Sequence, residues 1–283
     1  MQLRINPLLN KELRIRMRTW RTFALVSLYL LGLGGFSLLY FAGSFFGVGA
    51  GYTTLASVGQ GMFSFLSVLQ LVLVVFLVPA LTGNAISGER ERQTFDLLAC
   101  TQLSPWGIVL GKLAAALSAV VLLIIASLPL YGFVFLMGGV SPVQLLILFA
   151  ILLVTAFFSG CWALMFSSLL RRTVTSILAS YALTLFIFGG TVILSVLIMA
   201  LAGGQSSIVS HLLLLFNPLN FFEWLYPDAL ESTLSSLMYN YPFSWTWLKF
   251  WHLSLLVNIA FAGLCLWIST RAVNPLLGKK RRG

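Results

Sequence analysis

Formal charge is scarce in this sequence. Asp, Glu, Lys and Arg make up 8% of its 283 residues and only 7 of these residues are acidic, whereas 59% of the chain is hydrophobic. A soluble domain carries roughly a quarter charged residues, and so few charges cannot cover so much apolar surface. Soluble enzymes, disordered chains and nucleic-acid-binding domains are thereby excluded, although the net charge is +10. Cysteine is nearly absent as well. Cys100, Cys161 and Cys265 are odd in number and widely spaced, forming neither a disulfide framework nor a metal pattern. They read as small buried apolar residues. No His-Glu-x-x-His and no Gly-x-Ser-x-Gly occurs, so intramembrane proteolysis has no visible site. The stretch Gly107–Leu113 is one residue short of a phosphate loop and has Leu113 where Ser or Thr would hold magnesium. No ATPase, and no enzyme, is expected on this chain.

Long uncharged runs are what the sequence does contain. They extend between Arg21 and Glu89, Lys112 and Arg171, Arg172 and Glu223, and Lys249 and Arg271. About 20 apolar residues cross the hydrocarbon as a helix, so the runs hold two, two, one and one spans. Breakers divide them. A Gly/Thr-rich stretch over 43–54 separates spans near 22–44 and 61–83, and Gly138-Gly139-Val140-Ser141-Pro142 separates those near 109–136 and 143–169. A fifth span lies near 173–202 and a sixth near 249–270. The fold class is all-α: a single polytopic membrane domain over 1–283, with an extracytoplasmic segment at 203–248. An even number of spans puts both termini on one side. That side receives every basic residue except Lys249, so the positive-inside rule places the termini in the cytoplasm. A charged segment precedes the first span and no small-residue cleavage site is evident. The first span is therefore expected to stay as an anchor in the cell membrane.

The span interiors read as free of formal charge, Lys112 being counted with the cytoplasmic residues. Ion-coupled carriers and voltage sensors place titratable groups at that depth, and here only single amides such as Gln70 and Asn258 offer polarity. Asn84 stands just beyond the second span. His211 and His252 fall near the outer ends. Two cytoplasmic segments carry more information. On a helix over 10–21, Lys11, Arg14, Arg18 and Arg21 share one face and Leu9, Leu13, Met17 and Trp20 the other. That is the pattern of an interfacial helix over 1–21, with its cations at the phosphates of the lipid bilayer. The segment 87–105 holds three of the seven acidic residues in the only mixed-charge stretch, together with Phe95, Leu97, Leu98 and Leu103. It reads either as a solvated loop or as a short helix that docks in a groove on a soluble partner.

The residues of that segment resemble the loop between the second and third spans in the permease subunits of type-2 ATP-binding-cassette (ABC) exporters. Ser87-Gly88-Glu89-Arg90-Glu91-Arg92, then Thr94-Phe95-Asp96-Leu97-Leu98, then Gly111-Lys112 match in order, and Asn6-Pro7-Leu8-Leu9-Asn10-Lys11-Glu12-Leu13-Arg14 is similar to the family's opening. Gln93 replaces the usual Gly, and Gln102 stands where Pro is common. The resemblance implies that 87–105 is the coupling helix that receives the ATPase's motion. Glu89, Arg90, Glu91, Thr94, Phe95, Asp96, Leu97 and Leu98 would be its coupling residues, with Phe95 and Leu98 as apolar anchors. It also implies a separate ABC ATP-binding subunit carrying ATP and Mg, a second permease copy or paralogue, and short re-entrant helices over 208–216 and 221–237. A passive facilitator or channel, or a non-transporting scaffold or immunity protein, is the competing reading. Neither of these needs a coupling helix.

Overall fold

The computed structural model describes residues 20–46, 54–94, 104–201, 208–225 and 250–273. Among them every regular element is helical: α1 (Trp20–Phe46), α2 (Leu55–Thr82), α3 (Ser87–Glu91), α4 (Pro105–Ala126), α5 (Leu128–Met137), α6 (Pro142–Leu169), α7 (Thr173–Leu185), a π turn (Phe186–Gly190), α8 (Thr191–Leu201), α9 (Ile208–Leu215), a 3₁₀ turn (Pro218–Trp224) and α10 (Phe250–Val273). Six stretches are long and apolar enough to cross a membrane. The chain is an all-α polytopic membrane protein.

Small polar residues set the helix starts. Thr54, Ser104 and Ser141 each accept a hydrogen bond from a backbone N–H in the first turn of α2, α4 and α6. Pro105 and Pro142 follow directly, where a missing N–H does no harm. Gln144 returns the favour to the Ser141 N–H, completing a capping box. The second and third spans thus begin a turn or more earlier than expected, at Leu55 and Pro105 rather than 61 and 109. Ser104 and Pro105, read as the end of the cytoplasmic segment, are the cap and first residue of the third span. That span is in two pieces, α4 and α5, divided at Ser127 just before Pro129.

Gly138 and Gly139 turn the chain into the fourth span with φ of 85° and 82°. A Cβ on Gly139 would overlap the Ala56 carbonyl at the start of α2. Only glycine satisfies both the dihedral and the approach.

The fourth span is the axis of the bundle and packs against the second, third, fifth and sixth. Leu148, Leu152, Cys161, Trp162 and Leu164 are buried along it. Half or more of the second, third and fourth spans is buried, but only 17% of the first and 22% of the fifth. Leu28, Leu31, Leu38 and Leu39 of α1 face outward, as a lipid-contacting helix allows.

Several buried polar groups are paired across spans, as a medium without water favours. Gln70 Nε2 in α2 donates to Ser127 Oγ at 2.9 Å, and Tyr131 OH donates to Gln70 Oε1. Trp162 Nε1 donates to Thr184 Oγ1 at 3.0 Å. Beyond the fifth span α9 ends at Leu215, whose carbonyl accepts from Ser254 Oγ (2.9 Å) and Asn258 Nδ2 (3.3 Å) of α10. Asn217 Nδ2 donates to the Phe188 carbonyl in the π turn (3.2 Å) and to Thr191 Oγ1 (3.0 Å). Of the two expected re-entrant pieces, α9 matches the first and the 3₁₀ turn begins the second, whose part beyond 225 lies outside the described residues.

Candidate functional site

Where α2 ends, Gly83 lies against α7. A Cβ there would stand 3.2 Å from Ile177 Cγ1. The Gly83 carbonyl accepts from Ser176 Oγ at 2.6 Å and Ser87 Oγ at 3.0 Å. The short helix α3 then starts without a cap of its own. Ser167 of the fourth span serves instead, its Oγ accepting from the backbone N–H of Ile86 (2.9 Å) and Ser87 (3.0 Å).

The three charged residues that follow turn back onto the bundle. Glu89 Oε1 accepts from Lys112 Nζ of the third span at 2.6 Å. Arg90 Nη2 donates to the Ala272 carbonyl at the end of the sixth span at 3.0 Å. The Glu91 carboxylate accepts from the Thr173 backbone N–H at 3.0 Å and from its hydroxyl, at the first turn of the fifth span. Each polar residue of Ser87-Gly88-Glu89-Arg90-Glu91 therefore meets a different span, with the second attached through the chain itself. The motif is a hub.

Its electrostatics follow from those contacts. The Thr173 bonds hold the Glu91 carboxyl below its ordinary range, against a small opposing effect of burial, with Arg172 and Arg92 assisting. Burial and the nearby Arg171 cation lower the pKa of Arg90. Such a helix N-terminus favours the carboxylate.

α3 closes with a Schellman turn: the Thr94 N–H donates to the Glu89 carbonyl (2.9 Å) and the Gln93 N–H to the Arg90 carbonyl (3.1 Å). Gln93 sits at φ 59°, the left-handed position that glycine occupies most readily. The replacement noted in the sequence keeps the turn in its expected form.

A family model described as ABC-2 family transporter protein matches residues 7–271, a stretch that takes in the first five spans, all but the last two residues of the sixth, and the segment 87–94. The chain belongs to the ABC-2 transporter family. No individual curated protein matches it significantly. As an ABC-2 membrane subunit it places Glu89, Arg90, Glu91 and Thr94 together on one turn, with Thr94 Oγ1 donating to the Glu89 carbonyl at 3.3 Å. Phe95, Asp96, Leu97 and Leu98 lie outside the described residues, as do Lys11, Arg14 and Arg18. Arg21 falls in the first turn of α1.

One expectation changes. Lys112, counted with the cytoplasmic residues, stands about two turns inside α4, 3% exposed, so the ABC-2 subunit does bury a charge in its third span. The Glu89 and Glu91 carboxylates both make contacts within the chain. The missed residue had a signal. A lone Lys beside an apolar run needs an acidic partner, and Glu89, Glu91 and Asp96 are the acids of the segment that precedes it.

Proposed function

We propose that this chain is the permease subunit of an ATP-driven exporter, forming the substrate path and coupling through 87–105 to a separate ABC ATP-binding subunit. One observation carries the reading: the motif bonds to the same end of the third, fourth, fifth and sixth spans. A force applied at this single loop reaches nearly the whole bundle. A channel or scaffold has no use for such a hub. ATP and Mg belong to the partner, and this chain performs no catalysis.

Several further features fit the reading. A second permease copy, identical or paralogous, fits against the sparsely buried first and fifth spans. The basic residues fit cytoplasmic termini and an N-terminal helix held on anionic headgroups through Lys11, Arg14, Arg18 and Arg21. Phe95 and Leu98, three apart, are the anchors for the ATPase.

The test is co-expression with an ABC ATP-binding subunit. The wild-type chain should co-purify with it and stimulate its ATP hydrolysis. Phe95→Ala with Leu98→Ala should insert at matched levels and lose that stimulation. Equal stimulation by the double variant would remove 87–105 from the coupling role.

A further inference from the structure

Positive charge outweighs negative around α3. The turn between α6 and α7 carries two exposed arginines, Arg171 and Arg172. Among the described residues neither guanidinium has a hydrogen bond or an ion pair. Thr173 follows them and is bonded to Glu91, which sets this turn beside Arg90 and the exposed Arg92. Glu89 is engaged by Lys112, and Glu91 is shared between Arg172 and Arg92. Arg171 has another cation for its neighbour: burial first, and then Arg171, lowers the pKa of Arg90. A bound anion relieves repulsion of this kind. The surroundings say which anion fits. Leu169 before the turn is exposed, as are Val174 and Leu178, one helical turn apart at the start of the fifth span. The sixth span ends beside α3, where Arg90 bonds to the Ala272 carbonyl. There the Arg271 guanidinium lies 3.8 Å from the centroid of the exposed Trp267 ring. Exposed Trp and Arg together mark the boundary between hydrocarbon and headgroups. A soluble anion gains nothing from the apolar neighbours, whereas a phospholipid matches both the charge and the apolar surface.

We propose that Arg171 and Arg172 hold the phosphate of an anionic phospholipid whose acyl chains lie along Val174 and Leu178 of the fifth span. Arg92 adds attraction from α3. Basic clusters between the ends of membrane helices are suited to such headgroups. The phosphate offsets the charge that Arg171 presents to Arg90, and it ties the turn that α3 leans on to the membrane surface. The site does not depend on the coupling function proposed above, because it needs only the bundle and a bilayer.

The test titrates phosphatidylglycerol onto the detergent-solubilised full-length chain and resolves bound copies by native mass spectrometry. Phosphatidylcholine should bind about tenfold more weakly or less. Arg171→Gln with Arg172→Gln should weaken phosphatidylglycerol binding by about tenfold or more, at an unchanged melting temperature without added lipid. Arg171→Lys with Arg172→Lys should keep most of the binding. Lys279→Gln with Lys280→Gln removes as much charge elsewhere and should leave the binding intact. If the Arg171, Arg172 Gln pair does not fold, Arg171→Gln alone takes its place, with an expected loss of about fivefold. Unchanged binding in the arginine variants overturns the proposal. So does an equal loss in the Lys279, Lys280 pair, which marks net charge alone. Displacement of the lipid by inorganic phosphate also overturns it, since the site then takes a soluble anion. Unchanged lipid binding with lost binding of an ABC ATP-binding subunit assigns the arginines to a protein partner, and the lipid assignment fails.

Discussion

Gln93 adopts a conformation that L-residues avoid because Cβ approaches the carbonyl oxygen. Its side chain is exposed, so substitutions act through the backbone alone. Gln93→Gly should raise stability by about 0.5–1 kcal/mol, and Gln93→Val should lower it by about 1 kcal/mol. Thermal unfolding of the purified chain measures both, and an unchanged Val variant would mean the turn is not held as described. Glu91 gives a pH dependence. Its folded carboxyl ionises at lower pH than the unfolded one, so its contribution is complete above the ordinary carboxylate value near 4.3. The contribution is lost as pH falls through the lower folded value. Glu91→Gln should therefore melt below wild type at neutral pH, and the gap should close on acidification below about pH 4. A gap that stays constant from pH 7 to pH 3 contradicts the assignment.

At the scale of elements, the fifth span is interrupted where Asn217 reaches it. A π turn leaves backbone carbonyls off the regular ladder, and Asn217 Nδ2 supplies a donor to one of them, that of Phe188. Its Oδ1 accepts from the Leu219 N–H at 2.9 Å, so one amide serves two elements. Asn217→Ala removes both functions and should destabilise by about 1–3 kcal/mol. Asn217→Asp keeps the acceptor but not the donors, and should be nearly as damaging if the π-turn contact dominates. Detergent-solubilised melts of the two variants separate the roles, and a neutral Ala variant would leave the π turn without a latch. The sequence offered Asn217-Pro218 as a break between re-entrant pieces. The contact to Phe188 was not legible, because nothing in a periodic apolar pattern marks where a helix will widen by one residue.

For the whole molecule, the arrangement of spans was legible because uncharged runs longer than a bilayer crossing admit few other structures in lipid. The turn at Gly138-Gly139 and the cap at Ser141 stand where breakers were read. The coupling motif was legible as a motif, but its inward direction was not. Glu89 meets a lysine 23 residues away and Arg90 a carbonyl 182 residues away, and only the packed bundle brings those ends together. The orientation of the bundle is tested by two exposed positions at opposite ends of spans, Ser141 and Thr94. Ser141→Cys should react with an impermeant maleimide added to intact cells, and Thr94→Cys only after permeabilisation. The reverse pattern would invert the topology and with it the cytoplasmic hub.

Finally, the bond between Gln70 and the third span bears on how the protein is made. Gln70 lies near the middle of α2, and its amide bonds to Ser127 and Tyr131, which are synthesised more than fifty residues later. Released alone into lipid, the second span would carry an amide with no partner, at about 2 kcal/mol or more. The second and third spans are therefore expected to leave the insertion machinery as a hairpin. A nascent chain truncated after Thr82 should stay extractable where one truncated after Met137 does not, and replacing Gln70 with Leu should abolish that difference.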